Sequence, residues 1–216
     1  MRIEALVKRF SRKFTSDALA TPRLTSLESQ AVALVEAPNT ERTAAGRRYM
    51  GGTQVIASGI APVTAIPTTT ATLFLYNTAP DQGKCLVIDQ IGHFLGSGTP
   101  TAGATLLVTI TNGKPASVPA AASNYTSQSC SGFGTSVARW ATGITIPAGS
   151  AWVQATSSFQ LAAANVGQGD YPAFFNGGLV IPPGYGLGIA ILSGTGTTPL
   201  YSVSATWDEL ELDLVQ

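Results

Sequence analysis

The sequence predicts an all-β fold, an antiparallel jelly-roll-like β-sandwich, behind a helical or extended N-terminal arm. Three observations carry this. From about residue 55 onward, short runs rich in β-branched and aromatic residues alternate with turn-rich segments, and no helical periodicity lies between them. The chain of 216 residues holds 23 glycines and 13 prolines, so one position in six punctuates the backbone. Charge is also divided: residues 1–48 carry nine basic and five acidic side chains, net +4, whereas residues 49–216 carry three basic and seven acidic, net −4. Ten charges over 168 residues is far below the roughly 25% of an average domain. At Arg48 the texture changes from helical to Thr/Gly/Val/Pro-rich, which places a boundary near 50–60, with an arm over 1–50 and a body over 51–216.

In the arm, Ile3, Leu6, Val7, Phe10 and Phe14 recur at i, i+3, i+4, i+7 and i+11, an apolar stripe at helical period, with basic residues including Arg9 and Arg12 mostly off it. After Pro22, Thr25-Ser26-Leu27-Glu28 has capping-box spacing. Leu27, Ala31, Leu34 and Val35 follow at helical spacing until Pro38. Helices this short are not stable alone. The stripe therefore suits docking on a neighbour, with packing on its own body as the plain alternative.

The body divides into about eight strands. Residues 72–76 are β-rich, and 84–95 are apolar on both faces, as in a central strand. Residues 104–111 alternate, with Leu106, Val108 and Ile110 on one side. The runs 136–146 and 151–159 flank Pro147-Ala148-Gly149-Ser150, a hairpin loop. Residues 179–181 lead through Pro182-Pro183-Gly184 into 185–192, and 200–214 close the chain. Residues 55–63 supply one more candidate strand. Segments 96–103, 112–131, 164–178 and 193–199 read as turns. In the last strand Tyr201, Val203, Ala205 and Trp207 share a face, while Leu210, Leu212 and Leu214 share the other. That phase change predicts a bulge at Asp208-Glu209. In the strand before it, Gly186, Gly188 and Ala190 form a small-residue face that lets another backbone approach closely, the expected subunit contact.

Reactive groups are sparse. His93 is the only histidine; a Ser-His-Asp site would need it with Asp89, four residues earlier on the same expected face. No G-x-S-x-G elbow is present, so a structural or surface histidine is the better reading. Cys85 sits in an apolar strand and Cys130 in a loop, and nothing in their setting demands a disulfide. Glu209, Glu211 and Asp213 share one expected strand face, which suits a solvated edge or a basic partner better than Ca²⁺. The sequence thus predicts no enzyme, no cofactor and no metal. No apolar run reaches membrane-spanning length, and Met1 to Phe14 lack the apolar core of a secretory signal. No specific nucleic-acid partner and no membrane is expected.

Four stretches carry a resemblance: Asn112-Gly113-Lys114-Pro115-Ala116-Ser117-Val118-Pro119; Gly178-Leu179-Val180-Ile181-Pro182-Pro183-Gly184-Tyr185-Gly186-Leu187; Gly194-Thr195-Gly196-Thr197-Thr198; and Trp207-Asp208-Glu209. Together they resemble virion structural proteins of tailed bacteriophages, of the capsid cement or decoration and fibre-base types, with jelly-roll bodies and a docking arm. The resemblance covers roughly residues 110–216 and the general plan of arm and body. It implies a virion location, a partner such as the major capsid protein or another virion protein, and attachment through the arm residues named above. Few charges and the need to cover sheet edges point to a homotrimer. The alternative is a receptor- or glycan-binding fibre head, with Tyr125, Tyr171, Phe174 and Phe175 stacking on sugar rings.

Overall fold

A computed structural model describes residues 42–53, 59–81, 83–100, 103–116, 125–132, 135–157, 172–194 and 196–211. Ile3, Leu6, Val7, Arg9, Phe10, Arg12, Phe14 and Tyr171 lie outside the described residues. Ten strands follow one another: β1 (Arg48–Thr53), β2 (Thr70–Asn77), β3 (Lys84–Pro100), β4 (Thr105–Ile110), β5 (Tyr125–Ser129), β6 (Ala138–Thr145), β7 (Val153–Ser157), β8 (Ala173–Ile181), β9 (Gly186–Leu192) and β10 (Gly196–Glu211). They form two antiparallel five-stranded sheets. Sheet A has the order β5-β1-β10-β3-β8 and sheet B the order β6-β2-β9-β4-β7.

The expected fold class is the observed one. With β5 and β6 set aside, sheet A reads β1-β10-β3-β8 and sheet B reads β2-β9-β4-β7. The chain switches sheet at nearly every connection, which is the nested double Greek key of a jelly roll. The insertion between β4 and β7 then adds one strand to each sheet on the same side, β5 beside β1 and β6 beside β2. Strand β5 falls in a segment expected to be turn, and β8 begins six residues before the expected 179. Of the candidate strand at 55–63, the described part makes only isolated bridges, Ile60 to Tyr201 and Val63 to Leu192.

Alternation sets the core. Tyr49, Leu86, Ile88, Ile91, Ile181, Tyr201, Val203, Ala205 and Trp207 of sheet A meet Leu73, Leu75, Leu106, Val108, Trp140, Leu187, Ile189 and Ile191 of sheet B. Tyr49 stacks on Trp207 at 6.3 Å between ring centres, and Trp140 meets Trp207 edge-on at 6.1 Å. Such ring geometry adds attraction beyond the buried area.

The register break lies elsewhere than expected. Thr206 pairs with Gln90 but Trp207 with Ile88, so Asp89 is the extra residue, a bulge in β3. The bulge explains why Leu86 and Ile88 point into the core from even positions while Ile91 does so from an odd one. In β10 the inward phase runs on through Glu209 instead of flipping at Asp208-Glu209. Bulged Asp89 projects to the other face, where it pairs with Arg48.

Strand β1 begins at Arg48, so the boundary expected near residue 50 falls inside a strand. Residues 42–46 make one helical turn ahead of it. Arg42 reaches Asp208 at 2.7 Å and Arg48 reaches the same carboxylate at 3.5 Å. Asp208 is only 1% exposed, so both guanidiniums offset its desolvation. At this end of the sandwich, fully buried Asn77 ties two crossings together. Its side-chain amide donates to the carbonyls of Lys84 (2.8 Å) and Ile181 (3.0 Å), and its oxygen accepts from the amide of Ala79 (3.0 Å).

Two predictions follow from these ties. A chain beginning at Gly51 lacks Arg42, Arg48 and Tyr49 and leaves Asp208 buried without these cations. It is expected to be less stable than one beginning at Arg42 by at least about 3 kcal/mol. Urea unfolding of the two chains measures this, and equal stabilities would show that the ion pairs contribute nothing. Asn77→Ala strands two carbonyls and an amide and is expected to cost roughly 3 kcal/mol, read from the same unfolding curves; a loss within a few tenths would refute the role.

Candidate binding surface

Among the described residues, the reactive side chains lie apart from one another. His93 faces the core from β3, opposite Val203, with its ring 6.2 Å from that of Tyr201. It is 3% exposed, and neither ring nitrogen has a hydrogen-bond partner among the described residues. Burial alone pushes its pKa down to about 4. Asp89, the acid a triad would need, is turned to the opposite face by its own bulge and engaged by Arg48. His93 is thus a neutral core residue, as the plain reading had it. Tyr201 takes its own polar contact elsewhere, its hydroxyl donating to Ser193 Oγ at 3.3 Å.

Glu209 departs from its expected place on a solvated edge. It points between the sheets and is 1% exposed. Its Oε1 accepts from the Ser136 hydroxyl at 2.6 Å and the Val137 amide at 2.9 Å, and Lys84 Nζ lies 3.9 Å from Oε2. Its role is to tie β10 to the start of β6. Its charge also helps burial raise the Tyr49 pKa, burial being the larger cause. Glu211 is exposed, and Asp213 lies outside the described residues. Cys85 is buried and Cys130 half-buried; both are free thiols with pKa values raised chiefly by burial. Among the described residues no group of three or more His, Cys, Asp or Glu side chains gathers as a metal site would, and no helix is long and apolar enough to cross a membrane.

The small-residue face of β9 is close-packed, but against the chain itself. A Cβ on Gly186 would run into the Phe74 ring. One on Gly188 would come within 2.9 Å of Thr109, 3.2 Å of Trp152 and 3.3 Å of Ala71. Ala190 is fully buried. These three positions are therefore internal and not the subunit contacts expected. Phe74, Ala71, Ala141, Ile144 and Ile146, with Tyr76 and Trp152, form a second apolar cluster that covers the outer side of sheet B.

Among the described residues, no such cluster covers the outer side of sheet A. One row crosses it by register: Gln128 of β5, Met50 of β1, Thr206 of β10, Gln90 of β3 and Phe174 of β8. Met50 is 49% exposed, Phe174 63%, and Phe94 further along β3 44%. Among the described residues, three of the five exposed large apolar side chains are thus on this face. The next row holds Gly52, Ser204 and Gly92, which is flat. Of the four aromatics expected to stack on a ligand, Phe174 alone is shown exposed. Phe175 turns inward against the core, and Tyr125 lies on edge strand β5, described there by its backbone. Sequence reasoning missed Phe94 because its face depends on the β3 bulge, and Met50 because Arg48–Thr53 carries no apolar alternation that reads as a strand. No protein-family model, curated protein or solved structure matches the chain.

The His93 setting generates a pH prediction. Its folded pKa of about 4 lies below the unfolded value near 6.5, so the unfolded chain takes the proton first. Stability from this residue is complete above pH ~6.5 and is lost as pH falls toward 4, by roughly 3 kcal/mol in all. The difference in unfolding free energy between wild type and His93→Phe should therefore change by about that amount across the window. A difference that stays flat from neutral to acid pH would overturn the assignment.

Proposed function

We propose that this protein is a non-enzymatic structural component of a bacteriophage virion, a capsid cement or decoration protein. In this reading its body lies across joints between capsid subunits and its arm residues add attachment. The observation that carries the proposal is the outer side of sheet A on a jelly-roll frame, where Met50, Phe94 and Phe174 are exposed and the charges Arg48, Asp89 and Asp208 are paired with one another. A surface of this kind suits adhesion: the centres of stable interfaces are depleted in charge and enriched in Phe and Met. The sequence resemblance to cement, decoration and fibre-base proteins supports the same reading. The chemistry agrees, because the single histidine is buried with no described nucleophile beside it, and Asp89, Asp208 and Glu209 are engaged in ties within the fold.

Exposure of Phe174 also favours a second reading, a receptor- or glycan-binding fibre head, since an outward phenyl ring can stack on a sugar. The two separate by experiment. Purified protein added to heads of the parent virus that lack it is expected to bind saturably, at a fixed ratio to the major capsid protein, and to raise their resistance to heat. Co-sedimentation and thermal disruption measure this. Binding to host glycans or cell surfaces, with no uptake by heads, would replace the cement reading by the fibre one.

A further inference from the structure

We infer that the outer side of sheet A is an isologous contact, at which two copies of this chain pack face to face about a twofold axis. The inference does not rest on the virion reading and competes with it for one face, which a capsid and a second copy cannot both cover. It starts from the row Met50, Thr206, Gln90, Phe174, four neighbouring strands wide. A twofold axis in the interface, running along the strands between β10 and β3, exchanges β1 with β8 and β10 with β3. Met50 of one copy then meets Phe174 of the other, twice, and Thr206 of one meets Gln90 of the other, also twice. The row is therefore its own complement, as a contact between identical surfaces must be. Methionine sulfur on an aromatic ring is a favourable pair. The Gln90 side chain already donates to Thr206 within one copy at 3.2 Å, so both groups carry spare polar capacity at the surface.

Charge and shape permit the approach. The charges that flank the row, Arg48, Asp89 and Asp208, are already bound to one another. The Gly52, Ser204 and Gly92 row beside it is flat enough for close contact. Edge-to-edge association through β7 or β8 is less suited to this chain. Edge strand β7 carries a bulge at Ala155, since Leu106 pairs with Thr156 but Leu107 with Gln154. Edge strand β8 breaks register around Asn176 and Gly177, both at positive φ. Bulges of this kind are how edges are kept from pairing. The outer side of sheet B is filled by its own aromatic cluster. A second copy at sheet A is the occupant that its self-matching row selects.

The test uses the full chain and sedimentation over a range of concentrations. Wild type is expected to approach twice the chain mass. Met50→Lys and Phe174→Glu should each weaken the pair at least about tenfold. Ile66→Ser, also at an exposed apolar position, should leave it unchanged. Within one chain positions 50 and 174 are three strand spacings apart, roughly 14 Å, too far for the new charges to pair. Across the axis they meet, so the double variant with Met50→Lys and Phe174→Glu should recover association that is sensitive to salt. Circular dichroism and unfolding midpoints establish that each variant is folded; should Phe174→Glu not fold, Phe174→Ser serves in its place, with loss of association as the expected result. A wild type that stays monomeric, a trimer, a dimer indifferent to both single variants, or a folded double variant without recovery would each overturn the inference.

Discussion

The pairing of β3 with β10 is the constraint on which the rest of the structure depends. These are the two longest strands, and their ladder runs from Gly196 opposite Pro100 to Glu211 opposite Lys84. Each carries a further partner on its other side, β8 on β3 and β1 on β10, so the pair holds the centre of sheet A. The single extra residue at Asp89 decides what each side of that ladder presents. Before the bulge Leu86 and Ile88 enter the core; after it Ile91 and His93 do. Without it, one half of β3 would expose its apolar set and bury its polar one, because a strand's side chains alternate with period two.

That constraint also governs where the few charges go. Asp89 emerges on the outer side beside Asp208, and Arg48 joins both. One residue further on, Glu209 falls on the inner side and is held by Ser136 and Val137. Arg139 folds back on the carbonyls of Ser136 and Ala138, and Lys114 pairs with Asp81. The body thus uses charge to fasten strand ends and crossings to one another. Its faces are left to hydroxyls, amides and glycine. Desolvating a carboxylate is costly unless partners replace its water, and Asp208 and Glu209 have them.

The fold was legible in the sequence to the extent that alternation reports it. The runs around Leu106, Ile189 and Val203 repeat with period two, and each became a strand with the expected face inward. Strand β5, Tyr-Thr-Ser-Gln-Ser, was not legible, because it has no apolar alternation and owes its place to pairing with β1. Strand β1 was hidden for a similar reason. Arg48, Met50 and two glycines do not read as a strand, yet Tyr49 anchors them on Trp207. The binding surface was the least legible part. Phe174 and Phe175 are adjacent and chemically alike, and only the register of β8 on β3 sends one outward and the other into the core. The small residues of β9 were recognised as a place of close approach, but their spacing could not say whether the approaching group was another chain or the ring of Phe74.

The two sheets resolve the problem of their outer sides differently, and the difference lies in small residues. Sheet B places Gly186 and Gly188 where Phe74 and Trp152 lie down over them, so its aromatics are folded flat and buried. Sheet A has Gly52 and Gly92 on its outer side as well, but Val203 and Ser204 backbone atoms crowd Gly52, while Gly92 meets only Ser204 and Pro172. Among the described residues no large side chain is shown lying against these two glycines, and Met50, Phe94 and Phe174 are exposed. Exposed apolar side chains beside charges already paired with one another are poorly solvated in a lone copy, and burying them releases water without first breaking an ion pair. The economy of charge that fastens the ends of this sandwich therefore leaves one of its faces suited to a partner.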